Sequence, residues 1–417
     1  MSHILRGAYG KFWLASGLSS LADGITLAAG PLLMAQISTD PAVVGGAVFA
    51  QQLPWLLFSL FSGAFVDRVD RWLTVGVVGI GRAVVMGTLA YLVWQGWATI
   101  PIVYAAVFLL GVGATLSDNA GQALLPSVVA ADDLAKANAW LSGARMVGNQ
   151  FGGPPLGGWL FVVAAAVPFG LDAACFALSA LLMLSIRHSM GDAPTSAETA
   201  APTKPRRSVR QEIGEGMRWL WHHRPLRILA ITIGLMNITY GGAFAAYVLY
   251  ARERLGLSEV GYGFLLAATA VGGVMGTLSV ARLGKRFGTG PLLRVGLVVE
   301  TLTYLVLAVT RLPWVAAATL VVFGAHAAIW GVVSVTLRQR ITPSELFGRV
   351  NSVYLLFSMG GFALGSLLGG LIGQAFGITA PFWVAFVAMT VMTAGAWRTM
   401  TSSAISSEPA SPAIDLK

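Results

Sequence analysis

The sequence predicts an all-α membrane protein of about twelve transmembrane helices in two six-helix pseudo-repeats. Three observations carry this. Hydrophobic residues make up 56% of the chain and charged residues 11%, against roughly 25% charged in soluble domains. Apolar runs of about twenty residues, each long enough to cross a bilayer of about 30 Å as a helix, recur from end to end. Residues 132–158 and 345–371 align at one constant offset.

The first run, 12–37, is too long for a cleavable signal peptide and reads as a retained span. Runs at 43–66, 72–94, 100–123, 138–163 and 167–186 complete a first half. Runs at 226–250, 259–281, 289–310, 313–337, 350–374 and 379–398 form a second. Several are Gly-rich, as membrane helices often are. Residues 188–210 are rich in Ala, Pro, Thr and Ser without apolar period and read as a flexible linker. In QEIGEGMRWLWHHRPLR, which follows, Ile213, Met217, Leu220 and Trp221 share one helical face, which predicts a short helix on the inner membrane surface. The chain therefore divides into a bundle at 1–187, a linker with an amphipathic helix at 188–224, a bundle at 225–400 and a disordered tail at 401–417.

The formal charge of +9 is explained by where the cations lie. Arg68 and Arg71, Lys136, the stretch from Arg187 to Arg227, the group Arg282, Lys285, Arg286 and Arg294, and the group Arg338, Arg340 and Arg349 fall in alternate loops. The intervening QGWAT, AAAVP and QAFGITAP are bare, with Arg252, Arg254 and Arg311 as exceptions. This bias puts both termini in the cytoplasm and requires an even number of spans. It calls for no nucleic-acid partner. The single Cys175 excludes an internal disulfide and a cysteine metal cluster. No G-x-x-x-x-G-K-[ST] loop, H-E-x-x-H pair or G-x-S-x-G elbow occurs, so neither a phosphate-loop ATPase nor an enzyme is read here.

In the internal repeat, Lys136 meets Arg349 and Asn138 meets Asn351, while Gly148, Gly152 and Gly157 meet Gly361, Gly365 and Gly370. Span five thus repeats as span eleven. Parallel six-span repeats are a transporter architecture, with the substrate site near the midplane between the halves.

Two motifs resemble a known family. GAFVDRVDR, residues 63–71, resembles the major facilitator superfamily signature G-x-x-x-D-R-x-G-R between spans two and three, with Asp70 where glycine is usual. Gly153-Pro154-Pro155-Leu156-Gly157-Gly158 is similar to the G-P-x-x-G-G core of that superfamily's antiporter motif. EGMRWLWHHRPLR and QRITPSELFGRVN resemble the branch of enterobactin-exporter-like and macrolide-efflux-like proteins. The resemblance covers nearly the whole chain. It implies the major facilitator fold in a bacterial inner membrane. It also implies export of small amphipathic or hydrophobic compounds (a drug, antibiotic or siderophore) by proton antiport with alternating access. The expected partners are the small-molecule substrate, protons and the lipid bilayer; a monomer without cofactor or metal is expected. An importer or lipid translocator on the same fold, or a non-transporting sensor or scaffold, stay open as alternatives. The resemblance further implies that Asp67 faces the amino end of span eleven, where the helix dipole favours an anion. Asp67, Arg68, Asp70 and Arg71 would then form a gating loop; the alternative is that these charges only anchor it. One feature does not carry over. Many drug–proton antiporters place an arginine in span four before a G-x-G, where this chain has Val107 in VFLLGVG.

Ionisable side chains inside a membrane are costly and point to function. Asp23, mid-way along span one, is a candidate for proton coupling or for pairing with a cationic substrate; packing against Ser19 or Ser20 is the alternative. Asp118 and Arg145 fall at similar depth on spans four and five and join Asp23 as candidates for proton coupling or substrate charge; they are expected to pair, and a structural or gating pair is the alternative. Arg82 and Glu300 are read as structural, and Asp172, close to the outer start of span six, as needing no special role. Asn237 and Tyr240, and His326 and Trp330, share helix faces and could line the cavity or pack. Gly361, Gly365, Gly369 and Gly373 repeat every four residues and leave a bare face for close helix approach. Gly153, Pro154, Gly157 and Gly158 are expected to bend or thin span five; with the span-eleven glycines they are expected to form a bendable seam between the halves, with static close packing as the alternative.

Overall fold

The computed structural model describes residues 7–66, 70–190 and 209–397. Among them every regular element is helical. The first half holds α1 (Ala8–Ile37), α2 (Pro41–Val66), α3 (Arg71–Trp94), α4 (Ile100–Val128), α5 (Leu134–Arg145), α6 (Gly153–Val163) and α7 (Val167–Met190). Then come α8 (Val209–His222), α9 (Arg224–Leu249), α10 (Glu259–Phe287), α11 (Thr289–Val309), α12 (Pro313–Ile341), α13 (Ser344–Phe376) and α14 (Ala380–Ala396). Ten of these helices are long and apolar enough to cross a membrane, and α14 is a shorter apolar helix. The α5–α6 pair, one rod interrupted by a π-turn at Met146–Gly152, supplies the remaining apolar run. The expected disordered tail and most of the linker lie outside the described residues.

Punctuation along the chain follows backbone chemistry. Proline stands in the first turn of α4, α6, α9, α12 and α14, where its missing N–H removes no helical bond. Gly377 ends α13 at φ 93°, a conformation that favours glycine, and its N–H bonds the Gly373 carbonyl at 2.9 Å. The break between α5 and α6 has the same kind of cause. Pro154 and Pro155 remove two consecutive donors, and the Gly153 N–H reaches back to the Gly148 carbonyl, five residues earlier.

By contacts the described residues form two compact units, one from Met1–Pro205 with Ala251–Ala267 and one from Arg206–Tyr250 with Ala268–Lys417. Hydropathy alone assigns 251–267 to the second bundle. It packs with the first because Gly158 meets the backbone of Glu259, and Gly263 that of Pro154 and Pro155. In the first unit α7 packs on α1 and α3, and α2 on α4. In the second, α9 packs on α13 and α14, and α11 on α12 and α14. With lipid on the outside, helix association rests on close packing rather than on hydrophobic transfer, so bare glycine faces matter.

Those faces occur twice. On α13, a side chain at Gly361, Gly365 or Gly369 would strike the α9 backbone at Gly234, Ile238 or Gly242. These three glycines therefore lock α13 to a helix of their own unit, where the sequence reading set them between the halves. The reason is that span seven carries matching small residues, Gly234, Gly241 and Gly242, at helical spacing. On α6 and the π-turn, Gly148, Gly153 and Gly157 meet α1 at Leu21, Gly24 and Ile25.

Candidate functional site

The contact between α1 and α6 sits directly behind Asp23. Gly24 lies against the Gly148 and Asn149 backbone, so α1 cannot rotate there without a clash. This fixes the direction of the neighbouring Asp23 carboxylate, which is about a third exposed (36%).

Its partner is Arg82 of α3, which is buried. Arg82 Nη2 donates to Asp23 Oδ1, and Nη1 donates to Ser19 Oγ at 3.4 Å. The guanidinium lies 3.9 Å from the centre of the Phe176 ring on α7, a stacking geometry suited to arginine. Its stem passes over Gly113 of α4, where an added Cβ would lie 2.7 Å from Arg82 Cγ. Sequence reasoning set Arg82 aside as structural because span three is peripheral, and offered Ser19 or Ser20 as packing partners of Asp23. The structure brings Arg82 inward instead, and Ser19 serves the arginine. The signal was present in the sequence: a mid-span cation needs a partner, and the G-x-G of span four opens a path toward it.

Arg145 on α5 and Asp118 on α4 lie 4.0 Å apart and are both nearly half exposed. They share with Asp23, Arg82, Ser16 and Ser19 a polar cavity of about 70 Å³. A water needs about 10–15 Å³ by this kind of measure, and drug-sized ligands need about 300 Å³ or more. The cavity therefore suits a few waters and protons. All of it lies within the first unit.

A second carboxylate lies close by. Asp172 on α7 is fully buried; Thr26 Oγ1 donates to its Oδ2 at 2.5 Å, while its Oδ1 has no partner. Asp172, Phe176 and Ser179 fall on one face of α7, and Ser179 Oγ donates to the Ala15 carbonyl at 2.8 Å. One face of α7 thus reads α1 over several turns.

In the second unit the expected cavity residues are engaged. His326 Nε2 meets Glu300 Oε2 at 2.9 Å, and the Tyr304 hydroxyl donates to Glu300 Oε1 at 2.8 Å, all buried. The Trp330 indole packs edge-on to His326. Asn237 Nδ2 donates to the Ile233 carbonyl of its own helix at 2.9 Å. Tyr240 stacks on Phe323 and touches Phe244 and Phe362.

Of the predicted gating loop, Asp67 and Arg68 lie outside the described residues. Asp70 is the N-cap of α3: its Oδ1 accepts from the Trp72 and Leu73 amides, and its Oδ2 from Arg187 Nε of α7 at 2.7 Å. Arg71 begins α3. Partial burial pushes the Asp70 carboxyl up, but the Leu73 amide, Arg187 and the Trp72 amide together hold it below the usual aspartate value. The residue that departs from the superfamily signature thus caps one helix and ties it to another.

Comparison with known proteins agrees with this architecture. A family model described as "Transmembrane secretion effector" matches residues 2–412. An uncharacterized MFS-type transporter y4rN of Sinorhizobium fredii is 23% identical over 370 residues, covering 86% of this chain and 87% of the relative. The enterobactin exporter EntS of Citrobacter koseri is 26% identical over 376 residues, covering 87% and 85%. A bacterial homologue of the iron transporter ferroportin, crystallised inward-facing, superposes with a TM-score of 0.73 at 18% identity, covering 95% of this chain and 98% of that one. That likeness speaks to the fold. The chain is a multi-pass transporter rather than an enzyme, and it belongs to the transmembrane secretion effector family of the major facilitator superfamily.

Proposed function

We propose that this chain exports small amphipathic or hydrophobic compounds, such as a drug, antibiotic or siderophore, in exchange for protons. It would work by alternating access of its two six-helix halves. We place it in a bacterial inner membrane from the family branch it resembles, and both termini in the cytoplasm from the distribution of its loop cations. The observation that carries the reading is the Asp23–Arg82 pair opening onto a small polar cavity within the first bundle. A carboxylate held by an arginine can trade that partner for a proton or a cation. The secretion family and the relatives named as enterobactin exporters support the outward direction.

Energetically this is sufficient. One charge moving across 100 mV is worth about 2.3 kcal/mol, which sustains roughly a fortyfold gradient at about 1.4 kcal/mol per tenfold. The α1–α6 glycine contact supplies the rigid backing that keeps Asp23 aimed at Arg82. The proposal is tested in cells that express wild type or Asp23→Asn at equal level, loaded in turn with antibiotics, cationic dyes and siderophores. Lower retention of at least one compound in wild type, lost in Asp23→Asn, is expected. Equal retention of every compound in wild type and in cells lacking the protein would remove the export reading, and equal retention in wild type and Asp23→Asn would remove the role of Asp23.

A further inference from the structure

We propose that Arg82 is a counterion shared by two carboxylates, Asp23 and Asp172, and that Asp172 takes the arginine when Asp23 is neutralised. This rests on the antiport reading for its consequence, but its geometry is independent of any substrate.

Two buried polar atoms here lack partners: Asp172 Oδ1 and Arg82 Nε. Both residues are more than nine-tenths buried. They are brought together by helical spacing from both sides. On α7, Phe176, the ring beneath the guanidinium, lies one turn beyond Asp172. On α1, Thr26, which donates to Asp172, lies one turn beyond Asp23. Asp172 is within electrostatic reach of both Asp23 and Arg82. The charged and titratable groups around it are Asp23 from α1, Arg82 from α3 and Cys175 on its own helix. From α6 there are none, since residues 153–163 carry no ionisable side chain. Asp118 and Arg145 complete the set beyond Asp23.

One arginine cannot neutralise two carboxylates, and a charge left unpaired on the fully buried Asp172 is strongly disfavoured. The cluster therefore holds one proton between two acids. In the arrangement seen, Arg82 is on Asp23, which assigns the proton to Asp172. When a proton or a cationic group arrives at Asp23, the guanidinium turns to Asp172 Oδ1, and Asp172 gives up its proton. The exchange balances: one positive charge taken at Asp23, one proton released from Asp172, and Arg82 charged throughout. The phenyl face of Phe176 is the surface across which the guanidinium turns.

The test is infrared titration of the purified full-length protein in lipid, without substrate, following the C=O stretch of protonated carboxyl groups. Wild type should show a protonated-carboxyl band that Asp172→Asn removes. In Asp172→Asn, Asp23 should bind its proton about tenfold more weakly, a shift of one pH unit, because Arg82 has nowhere else to go. A band that persists in Asp172→Asn, with Asp23 titrating as in wild type, would overturn the proposal. Should Asp172→Asn fail to fold, Thr26→Val answers the same question. Loss of its hydrogen bond should move the band to higher frequency, and an unmoved band counts against Asp172 as the proton carrier. Export failing in cells while the infrared result holds would remove the antiport reading alone.

Discussion

The path of Arg82 across Gly113 makes a sharp prediction for Gly113→Ala. A Cβ at this position would lie 2.7 Å from Arg82 Cγ and 2.8 Å from Cδ, with Val78 Cγ1 at 3.4 Å. Real Cβ contacts do not occur below about 3.0 Å. The arginine stem is buried, held at its far end by Asp23 and Ser19 and stacked on Phe176, so it cannot simply swing aside. Overpacking of this kind costs about 1–3 kcal/mol. At about 1.4 kcal/mol per tenfold, the population with Arg82 on Asp23 falls about fivefold to somewhat over a hundredfold. Proton-coupled transport in vesicles should fall within that range and its pH profile should move. Expression should stay near wild type, and any loss of thermal stability should not exceed that overpacking cost. The effect should be absent in an Asp23→Asn background, because coupled neighbours are non-additive. Gly81→Ala on α3, where nothing lies within 4 Å of an added Cβ, is the control and should transport normally. If Gly113→Ala transports with an unchanged pH profile, the stem does not need that gap and the argument for Arg82 fails.

Three further outcomes follow from separate parts of the structure. Asp70→Ala removes a helix cap and an ion pair, and should lower stability by about 1–2 kcal/mol. Because the folded carboxyl sits below its ordinary value of 3.8, this stabilisation is present above that pH. It is lost as pH falls through the lowered folded value. The gap between wild type and Asp70→Ala in denaturation midpoint should therefore close in strong acid. Asp118 and Arg145 are nearly half exposed and 4.0 Å apart, so their pairing contributes about 0–1 kcal/mol. Either single reversal should impair transport more than stability, and the double reversal Asp118→Arg with Arg145→Asp should restore transport if the two act as a pair. Gly365→Ala would drive a methyl into the Ile238 carbonyl on α9. A loss of about 1–3 kcal/mol is expected, read as a lower melting temperature in detergent with the insertion unchanged.

Much of the fold was legible in the sequence because lipid leaves few options. Every backbone polar group must be satisfied inside the membrane, so each long apolar run becomes a helix. The bend in span five was also legible, through Gly153, Pro154, Gly157 and Gly158, although its π-turn was not. The site was legible only in part. Asp23 stood out by its depth, and Asp118 with Arg145 by their matched positions. Arg82 and Asp172 did not, because hydropathy gives depth but not rotation. A one-dimensional pattern cannot tell which side of an all-apolar helix faces its neighbours. Rotation is set here by small residues: Gly113 beneath Arg82, and Gly24 against Gly148. The partner of the α13 glycines was missed for a related reason. Their spacing announces close approach, but the approaching helix is named only by the glycines of span seven.

The most direct test uses inverted membrane vesicles with an imposed acid-inside gradient, read by a quenched dye. Antibiotics, cationic dyes and siderophores are added in turn to vesicles holding wild type or Asp23→Asn. The account predicts that at least one compound dissipates the gradient with wild type and that the same compound leaves it intact with Asp23→Asn. A compound that dissipates the gradient equally with both proteins would contradict the assignment of proton coupling to Asp23.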